Sequence, residues 1–141
     1  MYINKNILII VLVLAVVFIA ANTYGDQKYG VVCIGPIPAP DTNTKACEVN
    51  PKWCAENHEF SIQIDDGIIL PVPYGVNKKY ERIKTGERHL LIIRDKGKII
   101  ESFWFSFENY NTEKLCLWFK PMYLTWSIWP QKNSKHLCKC D

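Results

Sequence analysis

The chain begins with an unbroken apolar run, and this run decides in which compartment the rest of the chain folds. Lys5 lies in a short polar start, residues 7–21 are all apolar, and residues 22–25 are small or polar. A positive start, an apolar stretch and small residues near a cleavage point are the layout of an export signal. We therefore predict that residues 1–25 direct export and that residues 26–141 fold outside the cytosol.

The same run has a second interpretation, an uncleaved N-terminal membrane anchor. A spanning helix needs roughly 20 apolar residues, with about 17 as the lower end, and residues 7–21 supply fifteen. If the segment is retained, residues 7–24 are the only part of the chain expected to contact a membrane. The sequence thus predicts a secreted or periplasmic protein after cleavage, or otherwise a domain anchored by its N-terminal helix.

Six cysteines follow the apolar run, and disulfide bonds are the expected state of an even number of cysteines in an exported chain. Cys47 and Cys54 are near enough in sequence to close a small loop. Cys116 is expected to hold the C-terminal tail, because two cysteines only two residues apart in that tail are poor partners for each other. The predicted disulfide cysteines are Cys33, Cys47, Cys54, Cys116, Cys138 and Cys140.

The tail also offers an alternative use of its cysteines as metal ligands. His136, Cys138 and Cys140, together with Cys116, make up the ligand set of a Cys₃His zinc site. The Cys-x-Cys spacing differs from the usual zinc-binding spacing, and thiolates outside the cytosol are prone to oxidation. Disulfides are therefore the favoured interpretation, and the sequence predicts neither a metal site nor a cofactor.

From residue 58 onward the sequence alternates with a period of two, which is typical of β-strands. Phe60, Ile62 and Ile64 alternate with polar residues, and Asp66-Gly67 then marks a hairpin turn. Similar short runs separated by turns about every ten residues continue to Pro130. No long amphipathic helix follows the apolar run. The pattern predicts an all-β fold, a single small antiparallel β-sandwich.

These observations divide the chain into four parts. Residues 1–25 form the signal or anchor helix, residues 26–57 an irregular segment rich in Pro and Cys, residues 58–130 the β-sandwich core, and residues 131–141 a cysteine-bearing tail. Within the irregular segment, Pro51 after Asn50 suits the first position of a short helix.

One stretch resembles a known group of modules. The segment Tyr80-Glu81-Arg82-Ile83-Lys84-Thr85-Gly86-Glu87-Arg88-His89-Leu90-Leu91-Ile92, followed by Gly97-Lys98, is similar to the strand–Gly–strand rhythm of PEGA-type and prealbumin-like β-sandwich modules. The resemblance implies a sandwich fold. It implies no catalytic residue, because such modules share none.

Ten aromatic residues lie between positions 103 and 129. Alternation places Phe103, Phe105, Leu117 and Trp126 on core-facing sides of their strands. A second set faces the opposite way and is expected either to be covered by residues 26–57 and 130–141 or to bind another protein. That predicted binding face consists of Trp104, Trp118, Tyr123 and Trp129.

The remaining motifs argue against catalysis. His58 and His89 stand alone, without a nucleophile motif, a metalloprotease motif or a phosphate-binding loop. A formal net charge of only +3 without a long basic block gives no reason to expect nucleic acid as a partner. The sequence predicts a non-catalytic binding or structural module. The alternatives are a small secreted hydrolase using one of these histidines as base, and a cysteine-rich inhibitor or toxin presenting residues 36–40.

Overall fold

The computed structural model of this chain describes residues 5–23, 25, 27–40, 44–133 and 137–139. Strands are the main regular structure of the described chain after the first helix, and they are joined by short turns. Two 3₁₀ turns span Glu108–Tyr110 and Gln131–Asn133. The helices are α1 (Lys5–Thr23), α2 (Thr44–Val49) and α3 (Pro51–Ala55), and the strands are β1 (Tyr29–Ile34), β2 (Phe60–Ile64), β3 (Leu70–Pro71), β4 (Lys78–Lys84), β5 (His89–Asp95), β6 (Lys98–Phe105), β7 (Lys114–Lys120) and β8 (Thr125–Pro130).

Within the described residues these strands form two four-stranded sheets. The first sheet has the order β4-β1-β7-β8 and the second the order β3-β2-β5-β6. Both sheets contribute to one hydrophobic core, to which β1 and β7 of the first sheet supply Val32 and Leu117, and β2 and β5 of the second supply Ile62 and Leu91. The predicted β-rich fold is therefore confirmed.

The second sheet follows the predicted alternation closely. Along β2, Phe60, Ile62 and Ile64 are buried and the residues between them are half-buried. The turn after β5 has Gly97 at φ 78°, a conformation that glycine adopts without steric cost. Strand β3 pairs with β2 over only two residues, because prolines at 71 and 73 cannot donate to a ladder.

The first strand was not predicted. Tyr29–Ile34 was assigned to an irregular segment, yet it forms β1 between β4 and β7. Its pairing with β7 is parallel, which corrects the prediction of a wholly antiparallel fold. Gly30 has no side chain to clash there, and a Cβ at this position would collide with the ring of Phe107. The prolines downstream of Ile34 obscured a run of residues with high strand propensity.

Residues 44–55 form a pair of short helices, and Cys47 and Cys54 are joined across it as predicted. Pro51 begins α3 directly after Asn50. The pair presents Trp53, which is fully buried and contacts the rings of His58, Phe60 and Phe119. The small disulfide loop therefore supplies a large side chain to the shared core.

The C-terminal tail is held against the first sheet. Cys138 is bonded to Cys116 of β7, which confirms the expected role of Cys116. Cys33 of β1 lies beside Cys116 in the parallel ladder and is also disulfide-bonded, with a partner outside the described residues. Cys140 lies outside the described residues as well. The disulfides indicate an oxidising environment.

Helix α1 contributes nothing to this core, since its described apolar side chains are all exposed. In the part of the chain that the structure describes, no helix is both long and apolar enough to cross a membrane.

The two disulfides within the described residues differ in the length of chain that they close. The separation is 22 residues for Cys116–Cys138 and 7 residues for Cys47–Cys54. Replacing Cys116 and Cys138 together by alanine should lower the free energy of unfolding by about 2–4 kcal/mol, because the bond constrains the unfolded chain. Urea denaturation measures the loss.

The matched control is the double alanine variant of Cys47 and Cys54. The Cys47–Cys54 bond closes the shorter loop, so its removal is expected to lower the free energy of unfolding by less. A larger loss in this control would contradict the ranking. Thiol labelling of the unfolded, unreduced protein should find no free cysteine, and two or more labelled thiols would exclude the predicted three disulfides.

Candidate functional site

The two histidines that lack sequence partners both lie at ends of the β2–β5 strand pair. His58 precedes β2, and its Nδ1 is 2.7 Å from Oδ2 of Asp95, the last residue of β5. The other carboxylate oxygen of Asp95 accepts a hydrogen bond of 2.8 Å from the backbone N–H of Glu59. One aspartate thus holds both the ring and the backbone at the start of the neighbouring strand.

The opposite end of the same pair repeats this arrangement. His89 begins β5, and its Nδ1 is 2.6 Å from Oδ2 of Asp65, which follows β2. The other oxygen of Asp65 accepts a hydrogen bond of 2.8 Å from the backbone N–H of Leu90. The two His–Asp pairs are related by the approximate two-fold symmetry of an antiparallel strand pair.

Sequence reasoning missed these pairs, although a signal for them is present. Residues 58–67 read His-Glu-Phe-Ser-Ile-Gln-Ile-Asp-Asp-Gly, and residues 89–97 read His-Leu-Leu-Ile-Ile-Arg-Asp-Lys-Gly. Each begins with histidine and ends with Asp-x-Gly. Treating each histidine separately hid the repetition, because the partner of each lies on the other strand.

The two imidazole rings differ in their second nitrogen. Nε2 of His89 is 2.6 Å from the backbone oxygen of Lys84, so both ring nitrogens of His89 face acceptors. Only the doubly protonated imidazolium donates from both nitrogens. Nε2 of His58 is buried and has no hydrogen-bond partner among the described residues. The neutral ring with its hydrogen on Nδ1 satisfies His58, because it leaves no N–H group unpaired.

An open cavity of about 510 Å³ lies beside His58, with Phe60, Val72 and Tyr74 among its lining residues. The Tyr74 hydroxyl accepts a hydrogen bond of 3.0 Å from the backbone N–H of His58. Burial raises the pKa of Tyr74 above its usual value, with the charge of Asp95 acting in the same direction. The phenol therefore remains protonated at neutral pH and contributes a polar O–H group to a mostly apolar cavity.

This arrangement orients an imidazole but supplies no nucleophile to it. In the described part of the chain, the hydrogen bonds of the two rings go to Asp65, Asp95 and the Lys84 carbonyl, and none goes to a hydroxyl or thiol. General-base activation of a nucleophile requires such a contact. The geometry is that of two structural clamps.

The proposed metal ligands are placed differently from a metal site. Cys116 and Cys138 are bonded to each other and are not thiolates. His136 and Cys140 lie outside the described residues. Over residues 5–133 and 137–139, apart from their gaps, no group of three or more His, Cys, Asp or Glu side chains is arranged to hold a metal ion.

The proline-rich segment considered as an inhibitory loop is partly packed into the body. Ile37, at its centre, is fully buried and forms a bridge with Tyr74. The backbone N–H of Gly75 donates a hydrogen bond of 2.8 Å to the oxygen of Ile37. The segment joins the edge of the second sheet to the core.

The four aromatics of the predicted binding face are divided between two sheets. Trp118 and Trp129 are on β7 and β8 of the first sheet, Tyr123 is in the turn between those strands, and Trp104 is on β6 of the second. Trp104, Tyr123 and Trp129 are 58%, 68% and 50% exposed. Trp118 is half-buried and packs on Cys33, Cys116 and Cys138.

Strands β6 and β8 are edge strands that lie next to each other. The carboxylate of Glu101 on β6 accepts a hydrogen bond of 3.2 Å from the backbone N–H of Trp126 on β8. A crevice of about 360 Å³ between the two strands is lined by Phe103, Ile128 and Trp129, among others. We call this side of the molecule, formed by Lys98–Phe105 and Thr125–Pro130, the β6–β8 edge. Trp104 and Trp129 stand on its two bordering strands.

Comparisons with known proteins give no further guide to the site. No family model matches this chain, and no curated protein matches it.

The difference between the histidines gives a test in which both aspartates are changed to asparagine. In Asp65→Asn, the new amide N–H can donate to Nδ1 of a neutral His89, whose Nε2 still donates to Lys84. In Asp95→Asn, the new amide N–H likewise donates to Nδ1 of His58, so the ring hydrogen moves to Nε2, which faces no acceptor among the described residues. Asp95→Asn should therefore lower the free energy of unfolding by about 1–3 kcal/mol more than Asp65→Asn does.

Urea denaturation near neutral pH measures this difference. Each variant serves as the control for the other, because both aspartates make the same pair of contacts in the native protein. Equal losses, or a greater loss in Asp65→Asn, would contradict the assigned hydrogen positions.

Proposed function

We propose that this chain is an exported, non-catalytic binding module, a disulfide-stabilised β-sandwich that binds another protein through the β6–β8 edge. The proposal joins the apolar N-terminal run, the disulfides and the placement of the exposed aromatic rings. Residues 1–25 act as the export signal, and the folded part lies in the periplasm or the extracellular space. The resemblance of residues 80–92 to PEGA-type modules stays a prediction about fold.

The observation that carries the proposal is the exposure of large rings at one edge. Phe105, Phe119 and Trp126 are buried in the core, whereas Trp104 and Trp129 have half or more of their surface exposed. The two rings lie on the two strands that border this edge. Exposed aromatic residues are typical of interaction sites, because tryptophan and tyrosine supply much of the binding energy at protein interfaces.

The described residues of the tail and of the disulfide loop cover other parts of the surface and leave this edge open. The tail disulfide and Leu137 pack on the outer side of β1 and β7, where they also cover part of Trp118. Trp53 fills the region between the sheets beside Phe60 and Phe119. The described parts of the two covering segments therefore cover Trp118 in part and leave Trp104, Tyr123 and Trp129 exposed, which supports a binding role for these three rings.

The turn that carries Tyr123 contains a strained residue. Leu124 has φ 51°, in the left-handed region that a branched, non-glycine side chain rarely adopts. Strained backbone conformations cluster at binding and catalytic sites. This backbone conformation lies at the tip of the β7–β8 hairpin, where Tyr123 is exposed and Leu124 is partly exposed.

The proposal predicts that exposed and buried tryptophans respond in opposite ways to truncation. Trp104→Ala and Trp129→Ala should leave the melting temperature nearly unchanged, because these rings make few contacts within the core. Both should reduce the recovery of partners in a cross-linked pull-down from native envelope or extracellular fluid.

Trp53→Ala is the matched control, since the side chain is fully buried. This change should cost about 3–5 kcal/mol of stability, as is usual for a large core truncation. The proposal fails if Trp104→Ala and Trp129→Ala bind every captured protein as well as the unmodified chain does.

A further inference from the structure

We infer that the partner at the β6–β8 edge is a second copy of this chain, paired through antiparallel addition of β6 to the β6 of its partner. The inference rests on the proposed function only in placing binding at this edge. It follows from the contrast between the edge strands, from the direction of their free backbone groups, and from the self-complementarity of β6.

The opposite side of the molecule is protected against strand pairing. Strand β3 is two residues long, ends at Pro71 and is followed closely by Pro73. Neither proline has a backbone N–H to donate. Strand β4 has five charged residues among its seven, and Arg82 within it has φ 59°. Short strands, prolines, charges and irregular backbone are the devices by which proteins block unwanted pairing at sheet edges.

Strand β6 has fewer of these devices, and its one irregularity, a register shift at Ile100 in the ladder with β5, lies before the regular stretch from Glu101 to Phe105. With eight residues it is the longest strand in the described part of the chain, and it contains no proline. Beyond Lys98 its one charged side chain is Glu101, whose carboxylate binds the backbone N–H of Trp126. Ile99, Ile100 and Trp104 are exposed along it. The regular, apolar stretch from Ser102 to Phe105 is a template for another strand.

The ladder of the second sheet shows which backbone groups of β6 are free. The oxygen of Leu90 accepts a hydrogen bond from the N–H of Asp65, on the β2 side. Because these directions alternate along an antiparallel strand, Leu91 of β5 points its backbone groups toward β6, where it pairs with Phe103. The backbone N–H and C=O groups of Ser102 and Trp104 therefore point away from β5, toward the open edge.

A two-fold axis at Phe103 makes this edge complementary to itself. Ser102 of one copy then lies opposite Trp104 of the other, and their backbone groups exchange N–H···O bonds in both directions. Both side chains are on the outer face of the sheet, since Phe103 between them packs on the core. The small serine leaves room for the large indole, whose side chain lies within reach of the opposite strand.

The charges at the two ends of β6 favour the same orientation. Lys96 and Lys98 precede or begin the strand, and Glu108 begins the turn that follows it. Antiparallel pairing brings the basic end of one copy beside the acidic turn of the other. Identical interfaces of this kind form closed two-fold dimers, in which the two second sheets become one continuous sheet. A second copy is therefore the occupant that matches the edge in backbone, side-chain size and charge.

Amide hydrogen exchange of the unmodified chain, purified from an oxidising compartment, tests the register directly. On concentrating the protein, exchange at Ser102 and Trp104 should slow at least tenfold. Phe103 is the internal control, because its N–H already points to β5 and its protection should change little. Slowing at Phe103 alone, or no slowing at Ser102 and Trp104 in a protein that dimerises, would exclude this register.

Sedimentation velocity over roughly a hundredfold range of concentration tests the association itself. The unmodified chain should pass from monomer to dimer. Ser102→Lys, which places a charge opposite Trp104 of the partner, should raise the dissociation constant at least tenfold. The matched control Gln63→Lys adds the same charge to the interior strand β2 and should leave the constant unchanged.

The outcomes separate this inference from the proposed function. A chain that remains monomeric up to its solubility limit overturns the second copy as occupant. If such a monomer captures a foreign protein that Trp104→Ala no longer captures, the proposed binding edge stands while the dimer is excluded. If the chain dimerises but Ser102→Lys and Gln63→Lys weaken the dimer equally, another surface is responsible and β6 pairing is wrong.

Discussion

The pairing of β2 with β5 is the contact on which the second sheet depends, and it is closed at both ends by a histidine and an aspartate. Asp95 and Asp65 each bind an imidazole and a backbone N–H across the pair. Each clamp fixes which residues stand opposite one another. A slip of one residue would turn the buried side chains of the slipped strand outward. Since β5 also pairs with β6, the same register places Trp104 at the open edge.

The clamps combine similar geometry with different chemistry. His89 is held between a carboxylate and a carbonyl oxygen, so its ring links Asp65 to the end of β4. His58 has one partner and stacks on Trp53, with ring centroids 4.7 Å apart. It therefore joins the strand pair to the disulfide loop of residues 44–55. Both rings join elements of the fold, and among the described residues neither is hydrogen-bonded to a hydroxyl or thiol group.

The covering segments explain why interaction is proposed at one edge. The tail, bonded through Cys138 to Cys116, occupies the outer side of the first sheet. The prolines of β3 and the charges of β4 limit pairing at the far side. Strands β6 and β8 remain, bridged by the contact from Glu101 to Trp126. The exposed tryptophans and the free backbone groups of β6 thus lie where none of the described segments covers them.

The sequence by itself determined the local features of this protein. Alternation identified β2 and β5 to β8, Asp-Gly and Lys-Gly marked the hairpin turns, and proximity joined Cys47 to Cys54. It also predicted that Trp104, Tyr123 and Trp129 face away from the core. These features depend on neighbours within a few residues, through backbone preferences and the side-chain period of two.

Only the tertiary structure decided which distant segments meet. It inserted Tyr29–Ile34 beside β7 in parallel, paired β4 with β1 in the first sheet, and divided the four aromatics between two sheets. It also brought His58 to Asp95 and His89 to Asp65, although each residue looked isolated along the chain. A strand's periodicity shows which side faces the core but does not specify its neighbour. That choice is made by the burial of a shared core and by hydrogen bonds between residues far apart in sequence.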